Sequence, residues 1–512
     1  MVRSKAHRQP NMTLRVLLWE REVGRLVWDD RKGVSVFAYS KDYIADGPDV
    51  SPLDMSVRSP MAYLPVSGRP EEFSKYNGLP PFIADSLPDK WGNEVFSEWA
   101  RKNGLDPDRV SPVHKLAFIG RRGMGALEFE PEETVRISQD SIEIREIIEL
   151  AEKIGNNREE TRILADEEIT LQSLYLVGTS AGGQRKKAII AMNDSRTDIR
   201  SGQVMGLERD GLRYYILKFN EREDFPSAEI EAAFYDMACS CGIRMEFSDL
   251  FPVEGVNHFL TERFDRKDGM KIHMQTLAAM RPGTDSYEAL FSVCRELGLP
   301  EKELQELFCR AVFDVFSGNT DDHDKNVSFL MGPDGTWHLA PAYDVTFTAD
   351  IFNPGMIYRR RSICGKNRGI TAEDLLALAE SKGIKGANAI LSKVFEALTG
   401  WRETATRRGV FPQWIDLIEK YISEILPEEY SARMRGWILP PFKEYRHPSG
   451  QVITGMRFEE HERGAVHMLA TIDGRVRKHV FAPGKDETLE IKRLGLDRMP
   501  YEKKTELLDR YF

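Results

Sequence analysis

The residues best placed to do chemistry lie in one polar run, Gly318-Asn319-Thr320-Asp321-Asp322-His323-Asp324-Lys325-Asn326. Asp321 and Asn326 stand five apart. At that separation one loop can offer a carboxylate to an attacking hydroxyl and an amide oxygen to Mg²⁺. Lys325 beside them could meet a γ-phosphate. A further carboxylate, Asp344, follows in Pro341-Ala342-Tyr343-Asp344 and would bring a second metal ligand back to the loop. Upstream, Lys218 sits in the apolar run 214–219, where an ammonium is costly to bury unless an anion meets it. Glu231 or Glu229, one helix further on, could orient that lysine. Earlier still comes Gly178-Thr179-Ser180-Ala181-Gly182-Gly183-Gln184-Arg185-Lys186-Lys187, where glycine amides can approach phosphate oxygens and lysines supply the opposing charge. It is not a Walker motif, because that spacing is absent and a strand follows it. Taken singly, each cluster has an ordinary explanation: a polar turn, a solvated edge lysine, a solvated helix glutamate. Glycine loop, strand lysine, helix glutamate, Asp-x4-Asn and hairpin Asp in that order point to phosphoryl transfer.

The elements that must position these groups are legible around them. Leu304, Leu307, Phe308, Ala311, Val312, Val315 and Phe316 recur at helical spacing, so a core-facing helix over 302–316 leads into the polar loop. Strands at 327–331 and 336–339, joined by a Gly332-Pro333-Asp334-Gly335 turn, separate the loop from Asp344. Strands are expected at 174–177, 188–192 and 214–219, and a helix at 228–239. The front of the chain reads as strands at 13–19, 26–28 and 34–39 with turn signals at Val23-Gly24 and Arg31-Lys32-Gly33. Helical patterns follow at 85–102 and 139–165, with a glycine-rich hinge over 116–129 between them. Helices are expected at 372–382, 387–398, 412–425 and 427–436, and Pro440-Pro441 looks like a boundary. Strands at 451–457, 467–472 and 476–481 and a helix at 501–510 complete a small mixed tail.

The chain has 512 residues, enough for two to four domains. It is 41% hydrophobic and 30% charged, an ordinary globular composition. Its formal net charge of −10 argues against a protein whose main task is coating nucleic acid. No apolar run approaches the length a bilayer requires, and no secretory leader pattern is present. Five cysteines without metal-ligand spacing fit a reducing cytoplasm, with Cys239 and Cys241 expected to be buried thiols.

The chain also resembles a known family. Beside the loops above, it carries a front signature at 82–92 and Ile119-Gly120-Arg121-Arg122-Gly123-Met124-Gly125-Ala126-Leu127. It also carries Glu262-Arg263-Phe264-Asp265-Arg266. These are similar to the HipA family, Ser/Thr kinase toxins of bacterial toxin–antitoxin systems, over roughly residues 12 to 440. The resemblance implies an α+β, HipA-type kinase-like fold with a β-rich N-terminal lobe and a helical C-terminal lobe. It implies ATP and Mg²⁺ as cofactors, Asp321 as proton acceptor and Asn326 with Asp344 as metal ligands. Lys218 matches the phosphate-binding lysine. Gly182, Gly183, Gln184, Arg185, Lys186 and Lys187 match the ATP loop, with Lys187 the better-aligned lysine. Glu262, Arg263 and Phe264 correspond to the segment that meets adenine, and His323 and Tyr343 flank the nucleotide. Ser180 aligns with a serine that can be autophosphorylated, with Thr179 one residue away. A phosphate there would repel ATP and undo the loop's packing. The implied partners are a HipB-type DNA-binding antitoxin and a protein substrate, such as a translation factor or aminoacyl-tRNA synthetase. DNA would be met only through the antitoxin, and no membrane is involved.

The expected division is 12–135 for a β-rich N-terminal subdomain, 136–265 for nucleotide binding and 266–440 for the helical catalytic lobe. Residues 442–512 form an extension without a counterpart in the family. Arg359-Arg360-Arg361, Lys366 and Arg368 form a basic run after Asp344, either a substrate contact or a solvated loop. Two rival functions share the same residues: a pseudokinase acting as co-repressor scaffold, and a small-molecule phosphotransferase.

Overall fold

The computed structural model describes residues 12–67, 73–132, 143–156, 185–203, 205–220, 225–350, 358–434, 441–460, 464–473, 475–496 and 499–512. The chain forms two compact units, Met1–Val394 with Glu403–Phe411, and Phe395–Arg402 with Pro412–Phe512. No helix among the described residues is long and apolar enough to cross a membrane. The architecture is the expected α+β kinase-like one.

In the first unit, β1 (Thr13–Leu18), β2 (Arg21–Asp29), β3 (Val34–Tyr39), β4 (Val66–Ser67) and β5 (Leu127–Glu130) form an antiparallel sheet ordered β4-β3-β2-β1-β5. The expected turn at Val23-Gly24 is not there. The chain reverses at Trp19 and Glu20, both at positive φ (48° and 65°), and Gly24 lies inside β2. A Cβ on Gly24 would stand 2.3 Å from the Ala38 carbonyl oxygen, so this glycine serves close strand approach rather than turning. The helix expected over 85–102 begins later, as Lys90–Lys102, because Asp89 caps it by accepting from the Gly92 amide. A separate short turn, Pro81–Ala84, precedes it. Of the helix expected at 139–165, Ile144–Asn156 is described.

A second antiparallel sheet is built from β6 (Lys187–Met192), β7 (Ile199–Ser201), β8 (Arg213–Lys218), β9 (Ser248–Val253) and β10 (Val256–Glu262), in the order β7-β6-β8-β10-β9. Alternation along these strands sends Ala188, Ile190, Leu217 and Leu260 to one face. There they pack against Trp91, Phe96, Ile147 and Leu150 of the two front helices. Helix Ser227–Ser240 packs Ala228 and Ala232 against Phe259, so the strands are buried on both faces.

The short pair β11 (Arg266–Lys267) and β12 (Met270–Lys271) leads into a third sheet. That sheet orders β13 (His273–Thr276), β14 (Ser328–Met331) and β15 (Trp337–Leu339) side by side. The hairpin β14–β15 is the one expected, with Phe329 opposite Leu339. The helix expected at 302–316 is Glu301–Ser317, and its apolar stripe from Leu304 to Phe316 is buried. Cys241 and Cys309 are buried with sulfurs 3.9 Å apart, whereas Cys239 is exposed, against expectation, on the outer face of its helix end.

The second unit carries helices Pro412–Ile425 and Glu428–Met434 and a four-stranded antiparallel sheet. Its strands are β16 (Pro441–Arg446), β17 (Val452–Glu460), β18 (Val466–Ile472) and β19 (Arg475–Phe481). Ile453, Val466, Met468 and Phe481 form its core with Ile491, Leu507 and Leu508. Those last residues come from helices Asp486–Leu494 and Tyr501–Tyr511. Strand β16 and helix Asp486–Leu494 were not expected from the sequence. Proline fits the first residue of β16 because an edge position asks nothing of its missing N–H.

Candidate active site

The site starts from an electrostatic problem set by strand register. Lys187 opens β6 directly opposite Lys218, which closes β8, so two ammonium groups emerge side by side on one face. Both are nearly buried, at 3% and 8% exposure. Anions arriving from other elements make this tolerable. Helix Ser227–Ser240 projects the buried Glu231, whose Oε1 accepts from Lys218 Nζ at 2.6 Å and whose Oε2 accepts from Arg185 at 3.2 Å. Between the two glutamates left open by the sequence, the structure thus selects Glu231. Glu229 is engaged elsewhere, by Asn257 at 2.8 Å.

The second anion is Asp344. Its carboxylate also pairs with Lys218, and its backbone is left-handed, with φ 55°. That conformation costs an aspartate less than most residues and turns the side chain back toward β8. Burial by itself would raise the Asp344 carboxyl, but Lys218, Lys187 and Arg185 together hold it well below the usual carboxylate range. Burial depresses Lys187, partly offset by Asp344 and Asp89. Asp89, in the front signature, is itself raised by burial. Neither the strands nor the loops advertise it as a member of this cluster.

Asp321 stands at the other end of the hairpin. Gly318 closes helix Glu301–Ser317 in the left-handed region, φ 82°, and releases the chain into the loop. Thr348, just past Asp344, fastens that loop: its Oγ1 accepts from the amides of Thr320 (2.7 Å) and Asp321 (3.1 Å). Asn326 closes it by donating from Nδ2 to the Asp321 carbonyl at 2.9 Å. The Asp321 carboxylate stays half exposed, with His323 Nε2 and Arg360 Nε each 3.8 Å away. Asp322, next in sequence, is buried and structural. It accepts from the Arg359 guanidinium at 2.8 Å and from the amides of Arg360 and Arg361 at 3.0 and 3.2 Å. The basic run is therefore not one solvated patch: Arg359 and Arg361 are buried, and Arg360 points out.

Tyr343 bridges Ser328 Oγ (2.5 Å) and the Lys325 carbonyl (2.7 Å), and its ring centroid lies 5.7 Å from that of Phe264. The Lys325 side chain is exposed. Glu262 meets Arg213 at 3.3 Å. Arg263 is fully buried and fixed to Asp265 through two contacts of 2.9 and 2.8 Å. Lys186 and Arg185 are described, whereas Thr179, Ser180, Gly182, Gly183 and Gln184 lie outside the described residues.

Two further contacts come from the front of the chain, one to the loop and one to the end of β13. Lys75 Nζ pairs with Asp324 at 2.7 Å, and Asp85 accepts from both the amide and hydroxyl of Thr276 at 2.7 Å. No sequence signal links residues some 200 positions apart.

A divalent ion fits this donor set. Lys218 occupies Oδ1 of Asp344, and the Asn326 amide nitrogen is held by Asp321. Asp344 Oδ2 and Asn326 Oδ1 carry no hydrogen bond among the described residues, which leaves two hard oxygens of the kind Mg²⁺ prefers. No cluster of three or more His, Cys, Asp or Glu side chains suited to a metal occurs among the described residues. An ion here would complete its shell with water and phosphate oxygens, as Mg²⁺ commonly does.

Comparison with known proteins agrees. Residues 14–130 match the model of the HipA N-terminal domain and residues 179–401 that of the HipA-like C-terminal domain, together about two-thirds of the chain. A Sinorhizobium fredii protein, Y4mE, whose name assigns kinase activity provisionally, is 26% identical over 367 residues, 66% of this chain and 78% of its own. In three dimensions the chain is similar to HipA of Shewanella oneidensis MR-1, solved with HipB and operator DNA. That likeness has a TM-score of 0.58 at 17% identity, over 83% of this chain and 97% of the other, and it is one of fold. N-terminal domain, C-terminal domain and fold agree, and the chain belongs to the HipA family.

Proposed function

We propose that the chain is an ATP- and Mg²⁺-dependent protein Ser/Thr kinase of the toxin–antitoxin type. The observation that carries this reading is Lys218, whose ammonium meets Glu231 and Asp344 together. Two lysines side by side at a strand end, next to a carboxylate that can ligate a metal, make a receptor for polyphosphate. Lys218, Lys187 and the glycine-rich loop hold the phosphates, while Glu231 orients Lys218. Asn326 and Asp344 hold Mg²⁺, which supplies charge neutralisation for the transferring phosphoryl group. Asp321 orients the acceptor hydroxyl and takes its proton as the oxygen attacks the γ-phosphorus and ADP leaves. Catalysis is then mainly positioning and electrostatics. In this reading the Glu262–Phe264 segment meets the adenine, and His323 and Tyr343 flank the nucleotide, with the Phe264 and Tyr343 rings in contact. Nucleotide binding belongs to residues 136–265, and the catalytic lobe to 266–440.

The provisional kinase name of Y4mE supports the activity. The HipB–DNA complex of the Shewanella protein supports a HipB-type antitoxin as partner, with DNA met through it. The site of action is the cytoplasm, and self-phosphorylation falls on Ser180, with Thr179 as second choice. The test is incubation with γ-labelled ATP and cell lysate. Label on a protein at Ser or Thr, absent with Asp321→Ala, is expected. Equal labelling by that variant would remove Asp321 from its role.

A further inference from the structure

Arg360 is an exposed cation held in place by buried neighbours. On one side Arg359 is pinned three ways: its amide donates to the Asn367 carbonyl at 2.8 Å, and its guanidinium donates to Asp322 Oδ2 at 2.8 Å and to the Asp314 carbonyl at 2.9 Å. On the other side Arg361 is 1% exposed, its guanidinium 5.2 Å over the Tyr287 ring. Arg360's own amide is taken by Asp322 Oδ1 at 3.0 Å. With Arg359 and Arg361 buried on either side, the side chain of Arg360 faces out. It is 71% exposed.

What it faces is the candidate catalytic carboxylate. Among the described residues the one carboxylate paired with its guanidinium is Asp321, at 3.8 Å, too far for a hydrogen bond. A guanidinium left there competes with an acceptor hydroxyl for Asp321. A substrate carboxylate would match the planar fork with two parallel hydrogen bonds and draw Arg360 away from the base. The same loop continues the cationic rim. Arg368 lies over the Tyr358 ring at 5.3 Å and donates to its hydroxyl at 3.2 Å, both residues being exposed. On a chain with net charge −10, such a local cationic rim beside one aspartate is a selective feature rather than a general one.

We propose that Arg360 is a specificity-determining residue that recruits an acidic side chain lying next to the acceptor hydroxyl, so that the substrate is an acidic Ser/Thr segment of a protein. This rests on the kinase reading above and names the class of its substrate. Charge-assisted hydrogen bonds of this kind correspond to roughly 10-fold in kcat/KM or more.

The experiment is phosphorylation of a Ser-centred peptide library, randomised at the four positions on each side, with γ-labelled ATP and Mg²⁺ and the full chain. Wild type should prefer Asp or Glu at one flanking position by about 10-fold. Arg360→Ala should bring the acidic-to-neutral ratio close to one, and Arg360→Glu should reverse it in favour of Lys or Arg. The exposed side chain predicts unchanged unfolding transitions for both variants. An acidic preference that survives Arg360→Ala, or an equal loss on every peptide, overturns the proposal; the latter would assign Arg360 to the transferred phosphoryl group. Labelled peptides without acidic preference retire this inference alone. No label on any peptide or lysate protein retires the kinase reading and this inference with it.

Discussion

Replacing Asp265 by Asn should cost more stability than any other single-atom exchange near the site. The Asp265 carboxylate is wholly buried and accepts from Arg263 Nε and Nη2 (2.9 and 2.8 Å), Arg266 Nη1 (2.8 Å) and the Gly125 amide (2.7 Å). The guanidinium side chains it neutralises are 0% and 1% exposed. Arg266 is already pushed down to about 10 by burial and then by Arg263. Asn keeps the shape and removes the charge, leaving two buried cations facing each other. Loss of one partner from a buried ion pair costs about 3–5 kcal/mol. With a urea slope of about 3 kcal/mol/M, the midpoint of the first unit should fall by roughly 1–1.7 M. Tryptophan fluorescence follows it, because Trp91 lies in that unit's core. Burial opposes ionisation of Asp265, yet Arg263 and Arg266 outweigh it and hold the carboxyl far below its usual range. A depressed carboxyl contributes stability above its unfolded value and loses it as pH falls through the folded one. The difference between wild type and Asp265→Asn should thus be constant from pH 8 to about 5 and narrow below about 4. Adding Arg266→Met should recover part of the loss. A midpoint shift below about 0.3 M at pH 7, under 1 kcal/mol, would refute the reasoning.

Other variants separate structural from catalytic charges. Arg361→Met should be neutral or stabilising by up to about 2 kcal/mol in thermal unfolding, since its guanidinium is buried without a hydrogen bond; a loss above 1 kcal/mol contradicts that. Dehydration raises Asp314 to about 6, with Arg359 pulling the other way and Asp322 adding to the rise, while Asn319 and Tyr287 donate to it. A raised carboxyl contributes stability below its unfolded value near 4 and loses it as pH climbs through the folded one. Asp314→Asn should therefore gain on wild type by about 1–2 kcal/mol between pH 5 and 7.5, and parallel stability curves would contradict the shift. Glu231→Gln should raise KM for ATP about 10-fold or more by releasing Lys218, read in a nucleotide titration; an unchanged KM would remove Glu231 from the site.

The hairpin and its flanking loop were legible because strong periodicity brackets them: the buried stripe of Glu301–Ser317 before, strands of period two after. Lys218 stood out because an ammonium in an apolar strand demands a partner. Which partner was not legible, since Glu229 and Glu231 share one helix and only register against β10 separates them. The basic run misled for a related reason. Three consecutive arginines look solvated, but two of them are buried, and Asp322, indistinguishable from Asp321 by type, receives the Arg359 guanidinium and the amides of the other two. Arg263 shows that motif position does not fix orientation. Its guanidinium closes a buried pair two residues on, and nothing local encodes that burial. Asp85, Asp89 and Lys75 reach the site from the front domain, a tertiary fact without a sequence period.

The central claim is that one cluster binds Mg-ATP while Asp321 performs the transfer. Its most direct test measures both quantities on purified full-length protein: ATP affinity with and without Mg²⁺, and transfer of label to protein. Asp321→Asn should keep the wild-type affinity and lose transfer by 10²-fold or more. Asp344→Asn should lose the Mg²⁺-dependent part of the affinity as well. Transfer that persists in Asp321→Asn, or Mg-ATP affinity that is indifferent to Asp344, would contradict the account.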